Sequence, residues 1–277
     1  MTDILPTVKL PGGESVPAFG LGTWHMGEDR RRAADEIAAV RLGIELGVTL
    51  IDTAEMYGNG GAETIVGEAI AGRRDQIFLV SKVLPHNASR SGTVKACEAS
   101  LKRLGTDRLD LYLLHWAGNH PLDDTIEAFE QLKRAGKILR WGVSNFDLAE
   151  IEPLDGSAVA SNQVLYNLAR RGIEFDLLPW CRARSIPIMA YSPIEQGRIL
   201  GNKALVALAK ARGCSAAQLA LAWVLQQEGV VTIPKASNPA HVRENRAALD
   251  IVLSAAECAA LDKAYPAPRK PTPLAML

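Results

Sequence analysis

Asp52, Tyr57, Lys82 and His115 are the residues of this chain whose types and placement suit proton transfer. Three of them close apolar runs: VTLID ends at Asp52, IFLVSK at Lys82 and LDLYLLH at His115, while Tyr57 follows Asp52 by five positions in the loop IDTAEMYGNGGAE. A phenol titrates at about pH 10, too high for ready exchange at neutral pH, but a neighbouring ammonium favours the phenolate and lowers that value. Tyr57 beside Lys82 would be such an acid, with Asp52 holding the lysine charged and His115 orienting a substrate oxygen. Taken singly, each residue reads as a strand-end cap, a loop aromatic or a surface group; their joint order points to a shared site. None is a first-choice nucleophile, so the set suits proton delivery to a carbonyl oxygen rather than hydrolysis, and it calls for a hydride donor.

The elements that must position these groups repeat along the chain. Apolar runs bounded by Gly or Pro suit strands buried on both faces of a parallel sheet. AFGLGTW near the start, ILRWGVSN, ASNQ, IPIMAYSP and VVTIPK bring the count of such strands to eight. Stretches of helical period lie between most of them, among them Ile37, Val40 and Ile44 before Gly47; Val94, Cys97, Leu101 and Leu104 before Gly105; and Ile126, Phe129 and Leu132 before Gly136. The glycines fall where helix C-caps belong. Eight βα units in 277 residues predict a (β/α)8 TIM barrel, whose usual size is about 250 residues. The competing doubly wound sheet would show G-x-G-x-x-G in its first βα turn, whereas Gly20-Leu21-Gly22 is followed by Thr23, Trp24 and His25. VKLPGGESV reads as an N-terminal β-hairpin ahead of the barrel. Residues 1–277 form one domain, with no linker and no low-complexity tract.

Composition narrows the partners. Lys and Arg total 31 and so do Asp and Glu, so no net field draws nucleic acid or an anionic membrane, and a small-molecule partner is expected. MTDILPTVKLPGG lacks a signal peptide's basic and apolar regions, and no apolar run is long enough to span a bilayer, so a cytoplasmic protein, taken as a monomer, is expected. Cys97, Cys181, Cys214 and Cys258 are scattered, which favours reduced structural thiols over disulfides or a metal; no metal site is expected.

The ordered motifs GLGTW, IDTAEMYG, VSKV, DLYLLHW, WGVSNF, NQVLYN, AYSP and IPKASNPAHVREN resemble those of the aldo-keto reductase family almost end to end. The resemblance implies that Asp52, Tyr57, Lys82 and His115 form the catalytic tetrad, with Tyr57 as general acid. It implies NADPH bound across the C-terminal mouth of the barrel without a Rossmann domain. Ser144, Asn145 and Gln163 would hold the carboxamide and Tyr191 would stack on the nicotinamide. Ser192, Pro193, Ile194 and Gly197 would line the pyrophosphate, and Lys235 would face the adenosine 2′-phosphate. Where many members place Ser and Arg around that phosphate, this chain has Ala236 and His241. Losing the arginine removes a bidentate, permanently charged partner, so Arg243 and Arg246 become the candidate replacements and NADH the alternative donor. Glu244 and Asn245 remain for the adenine.

Trp24, Met26, Met56 and Trp116 follow barrel strands and are expected to line the substrate pocket. Trp141 and Trp223 lie in strand and helix patterns and read as core. The stretches around 218–225 and 255–261 read as amphipathic helices, Glu28 to Arg32 as a solvated helix start, and Pro266 to Pro273 as a tail over the surface or the pocket rim. The loops after His115-Trp116 and after Ser192-Pro193-Ile194 are short, and LDKAYPAP adds to the likeness with bacterial members of the methylglyoxal reductase type. The implied activity is reduction of small aldehydes and ketoaldehydes. Oxidation of alcohols or sugars at the same site, or a cofactor-sensing role like that of potassium-channel β subunits, are the alternatives.

Overall fold

The computed structural model describes residues 5–277, so the reading of the first four residues of MTDILPTVKLPGG lies outside the described residues. A hairpin comes first, β1 (Thr7–Lys9) paired antiparallel with β2 (Ser15–Pro17). The barrel strands follow: β3 (Gly20–Gly22), β4 (Leu50–Asp52), β5 (Phe78–Val83), β6 (Leu111–Leu114), β7 (Trp141–Ser144), β8 (Val159–Leu165), β9 (Ile188–Tyr191) and β10 (Val230–Thr232). Each pairs in parallel with its neighbour in chain order, and parallel bridges from Phe19 to Thr232 and from Gly22 to Lys235 join the last strand to the first. The expected eight-stranded barrel and its hairpin are both present.

Helices α1 (Ala33–Glu45), α2 (Gly61–Ile70), α3 (Arg90–Leu104), α4 (Leu122–Arg134), the short α5 (Leu148–Ile151) and α6 (Leu177–Ala183) follow β3 to β8 in turn. Then α7 (Lys203–Arg212) and α8 (Ala216–Leu225) follow β9, α9 (Pro239–Ala247) follows β10, and α10 (Ala255–Ala264) ends the series. Local chemistry sets their bounds. Ser89 caps α3 by accepting from the Gly92 amide, Ser215 and Gln218 form a capping box on α8, and Gly47, Gly105 and Gly136 take positive φ after the helices they end. One expectation fails here: α8 is not amphipathic, since Leu219 through Val224 are all buried. It is wedged between β10, α7 and α9, so it is apolar on every side.

Two apolar layers result. Inside the barrel, Leu50, Val80, Leu113, Met189, Val231 and Ile233 form one cluster with Leu10 and Val16 of the hairpin, which plugs the bottom. Outside it, the opposite strand faces and the helices form the larger cluster, including Trp141 and Trp223. Successive strand residues point to opposite faces. Two positions beyond Leu50, Val80, Leu113, Met189 and Ile233 stand Asp52, Lys82, His115, Tyr191 and Lys235. The inward faces are therefore apolar below and polar at the C-terminal mouth.

Tyr57 comes from a turn rather than a strand. Its loop lies against the segment after β3 through backbone alone: a Cβ on Gly27, at φ 74°, would meet the Gly61 carbonyl carbon at 2.2 Å, and one on Gly58 would meet the Met26 oxygen at 2.7 Å. Gly27→Ala should therefore lower the urea-unfolding free energy by more than about 2 kcal/mol. Gly72→Ala, at φ 75° with open space around it, should cost only about 1 kcal/mol. Equal losses would show that the backbone contact contributes nothing.

Candidate active site

The tetrad residues converge at the C-terminal mouth of the barrel. Lys82 is fully buried, and its ammonium donates to Asp52 Oδ2 at 2.8 Å, the Thr53 carbonyl at 2.9 Å and the Tyr57 hydroxyl at 3.1 Å. Those three bonds use every proton the ammonium has. Because Tyr57 accepts from Lys82, its own O–H is left to donate elsewhere. Asp52 is satisfied on both oxygens, since Gln163 Nε2 donates to Oδ1 at 2.7 Å. His115 packs edge-on against Tyr57, ring centroids 5.8 Å apart, and its buried Nδ1 has no partner among the described residues.

The electrostatics follow from this packing. Burial alone would favour a neutral Lys82, but Asp52 and then Tyr57 outweigh it and hold its pKa above the ordinary value. Tyr57 departs from expectation. Burial raises its pKa above 10, and the pull of Lys82 opposes this without reversing it, so the phenol stays protonated. Burial, followed by the charge of Lys82, pushes His115 down to about 2, so its imidazole is neutral at physiological pH.

These groups open onto a cleft of about 620 Å³ lined by Asp52, Tyr57 and His115 but not by Lys82, which lies beneath it. Ser144, Asn145, Gln163, Tyr191, Ser192, Pro193, Ile194, Gly197 and Lys235 also line it, and Trp24, Met56 and Trp116 form apolar wall. A larger hollow of about 920 Å³ lies under the proline-rich tail against α5 and α6, away from all four proton-handling residues. Several of the cleft's polar groups are tied to one another. The Tyr191 hydroxyl donates to Asn145 Oδ1 at 2.9 Å, Asn145 Nδ2 to the His115 carbonyl at 3.1 Å, and Ser144 Oγ to the Gln163 carbonyl at 2.9 Å. Among the described residues seven non-glycines take positive φ, and four of them, His25, Asn145, Ser192 and Gln196, border this one cleft. Strained backbone collects where a site over-determines it.

Met26 does not join the pocket: it is fully buried in the core against the glycine contact. Ala236 is likewise turned into the core, and His241, Glu244 and Asn245 stand on or along α9 outside the cleft, His241 exposed and Asn245 buried. Several lining residues were not anticipated: Thr23, His25, Gln196, Met276 and Leu277. The last two are the apolar end of the tail, whose proline-rich part was expected over the surface or rim. Nor was the clamp on the loop after β9, where buried Glu195 accepts from Asn167 at 2.8 Å and Arg170 at 2.9 Å. These side chains lie 25 or more positions from their partners, and no short motif joins them.

With that geometry, the Aldo/keto reductase family profile matches residues 18–266, and the chain belongs to this family. It is 54% identical over 98% of both chains to methylglyoxal reductase YeaE of Escherichia coli K12. It is 37% identical to the glyoxal reductase of Bacillus subtilis 168, over 91% of this chain and 90% of that one. A crystal structure of an aldo-keto reductase from Klebsiella pneumoniae in complex with NADPH superposes with a TM-score of 0.96, at 51% identity over 99% of this chain and 100% of that one. Among the described residues there is no cluster of metal-ligating side chains, and no helix is long and apolar enough to cross a membrane.

Removing one member of the buried pair should cost more than removing both. Asp52→Ala is expected to destabilise by about 3–5 kcal/mol in urea unfolding, and adding Lys82→Met should recover part of that loss. A further loss in the double variant would contradict the pairing. For His115, between about pH 2 and about 6.5 the unfolded chain binds a proton that the folded chain excludes, so stability falls on acidification. Between pH 6 and 4.5, unfolding free energy should drop more steeply in the wild type than in His115→Gln, by up to about 1.4 kcal/mol per pH unit. Parallel slopes would mean that His115 protonates in place.

Proposed function

We propose that the protein is an NADPH-dependent reductase of small aldehydes and ketoaldehydes, with Tyr57 as general acid. The observation that carries this reading is the saturated Lys82 ammonium, which accounts for its own three protons and leaves the Tyr57 proton to face the cleft. The Escherichia coli and Bacillus subtilis relatives, named for methylglyoxal and glyoxal, support the substrate class, and the Klebsiella pneumoniae complex supports NADPH.

The donor set fits such a cofactor. Ser144, Asn145 and Gln163 would hold a carboxamide, Gln163 keeping its Oε1 free because its amide nitrogen is held by Asp52. Tyr191 would lie against the nicotinamide, Ser192, Pro193, Ile194 and Gly197 along the pyrophosphate, and Lys235 at the 2′-phosphate, with Glu244 and Asn245 toward the adenine. Bound there, NADPH would supply the hydride. The protein's share is orientation and charge. A carbonyl oxygen seated between Tyr57 and His115 accepts a hydrogen bond from each, and neutral His115 orients it without competing as the acid. Tyr57 gives its proton as negative charge develops on that oxygen, and Lys82 stabilises the phenolate left behind, its own charge balanced by Asp52. These interactions strengthen at the transition state, so they act on turnover.

The cleft is narrow enough to select. Trp24, Met56, Trp116, Ile194, Met276 and Leu277 wall about 620 Å³ that the nicotinamide end must share, which favours a short carbonyl compound over a bulky one. A complete tetrad argues against a purely sensing role. The reading includes a monomer working in the cytoplasm.

Purified protein should oxidise NADPH with methylglyoxal, glyoxal and phenylglyoxal, and turn over an aldose or a bulky ketone far more slowly. Tyr57→Phe should retain NADPH affinity and lose about 10²–10⁴-fold in kcat. Near-wild-type kcat in that variant would remove Tyr57 from the role.

A further inference from the structure

The family resemblance implies Lys235 alone at the cofactor's outermost phosphate, with Ala236 and His241 in place of the usual Ser and Arg. Neither proposed replacement stands out: Arg246 is engaged with Asp250 at 3.2 Å, and Arg243 is exposed on α9. A different cation reaches the site. Arg32 ends the one-turn helix Arg30–Arg32 between β3 and α1, a segment that reads in sequence as merely solvated. Its Nη2 donates to Ser237 Oγ at 3.0 Å, and Lys235 Nζ donates to the same oxygen at 2.9 Å.

Among the described residues no carboxylate forms an ion pair with Lys235, and Arg32 has only a long contact to one. Two cations directed at one neutral hydroxyl repel each other, and the nearest acid, Glu36, is 3.8 Å from Arg32 while its other oxygen is held by the Gly27 amide at 2.8 Å. The flanking Arg31 is already paired with Asp29. Ser237 uses its lone pairs on the two cations, so its O–H remains free to donate. Protein packed around Lys235, followed by the charge of Arg32, lowers the lysine's pKa, and the more distant pull of Glu36 and Glu28 does not reverse this. Lys235 lines the cleft and Arg32 is half-exposed, so both are reachable. A guanidinium, an ammonium and a hydroxyl converging in this way match a phosphate dianion.

We propose that Arg32, with Ser237, completes the binding site for the 2′-phosphate of NADPH beside Lys235 and sets the preference for NADPH over NADH. This rests on the NADPH-dependent reading given above. The test is calorimetric titration of the full chain with NADPH, NADH, adenosine 2′,5′-bisphosphate and adenosine 5′-monophosphate, for wild type, Arg32→Ala, Arg32→Lys and Ser237→Ala. Arg32→Ala should weaken both 2′-phosphorylated ligands roughly tenfold or more and leave the other two unchanged. Arg32→Lys should recover part of the loss, and Ser237→Ala should show a smaller loss of the same selectivity. Equal weakening of all four ligands would reduce Arg32 to a structural role and overturn the assignment. If wild type binds and oxidises NADPH while Arg32→Ala binds it as tightly, this inference alone falls; if wild type binds neither dinucleotide, the reductase reading falls and takes it along.

Discussion

The Asp52–Lys82 pair is the constraint on which the site depends. Taking two charges out of water is costly unless every donor and acceptor is met, and here each one is: three bonds from the ammonium and two to the carboxylate. The partners come from β4, the segment after it, β5, the Tyr57 turn and β8. A displacement of any one strand would leave a buried charge unmatched. The pair therefore ties barrel geometry to the placement of Tyr57, and the same bonds that satisfy Lys82 determine which proton Tyr57 can give away.

The barrel makes the pair affordable. The same inward-facing positions carry Leu and Val one layer down, with the hairpin residues Leu10 and Val16 sealing the bottom, so water reaches the polar layer from the mouth alone. That one-sided access explains why burial pushes Tyr57 up and His115 down together: both favour their neutral forms, the forms suited to donating hydrogen bonds to a carbonyl oxygen. Loops then finish what the strands begin. The glycine contact between the segment after β3 and the Tyr57 turn, and the Glu195 clamp on the loop after β9, hold strained backbone at the rim without adding side chains to the cleft.

The two ends of the cleft differ in character. Around the tetrad, Asp52 and Lys82 are buried, charge-balanced and bonded to each other, to Gln163 and to Tyr57. At Lys235 and Arg32 two cations share one hydroxyl, with only the long contact from Arg32 to Glu36 at 3.8 Å to offset them, as suits a place where an anion from outside completes the charge. The second cation on Ser237 comes from a segment some two hundred positions before Lys235, because barrel closure brings β3 beside β10.

Much of this was legible in the residues themselves. Period-two strand geometry makes an apolar run ending in Asp52, Lys82 or His115 informative, and glycines at positive φ mark helix ends by a local rule, so the barrel and tetrad could be read along the chain. What it could not determine depended on distance in space. Whether Lys82 lowers the Tyr57 pKa or burial raises it is a contest between Coulomb attraction and desolvation, settled only by the depth of the site. That Met26 faces the core, that α8 is buried on all sides, that Met276 and Leu277 reach the cleft and that Arg32 reaches Ser237 follow from close approach of segments remote in sequence. Local propensity carries no information about such contacts; only the closed barrel brings them together.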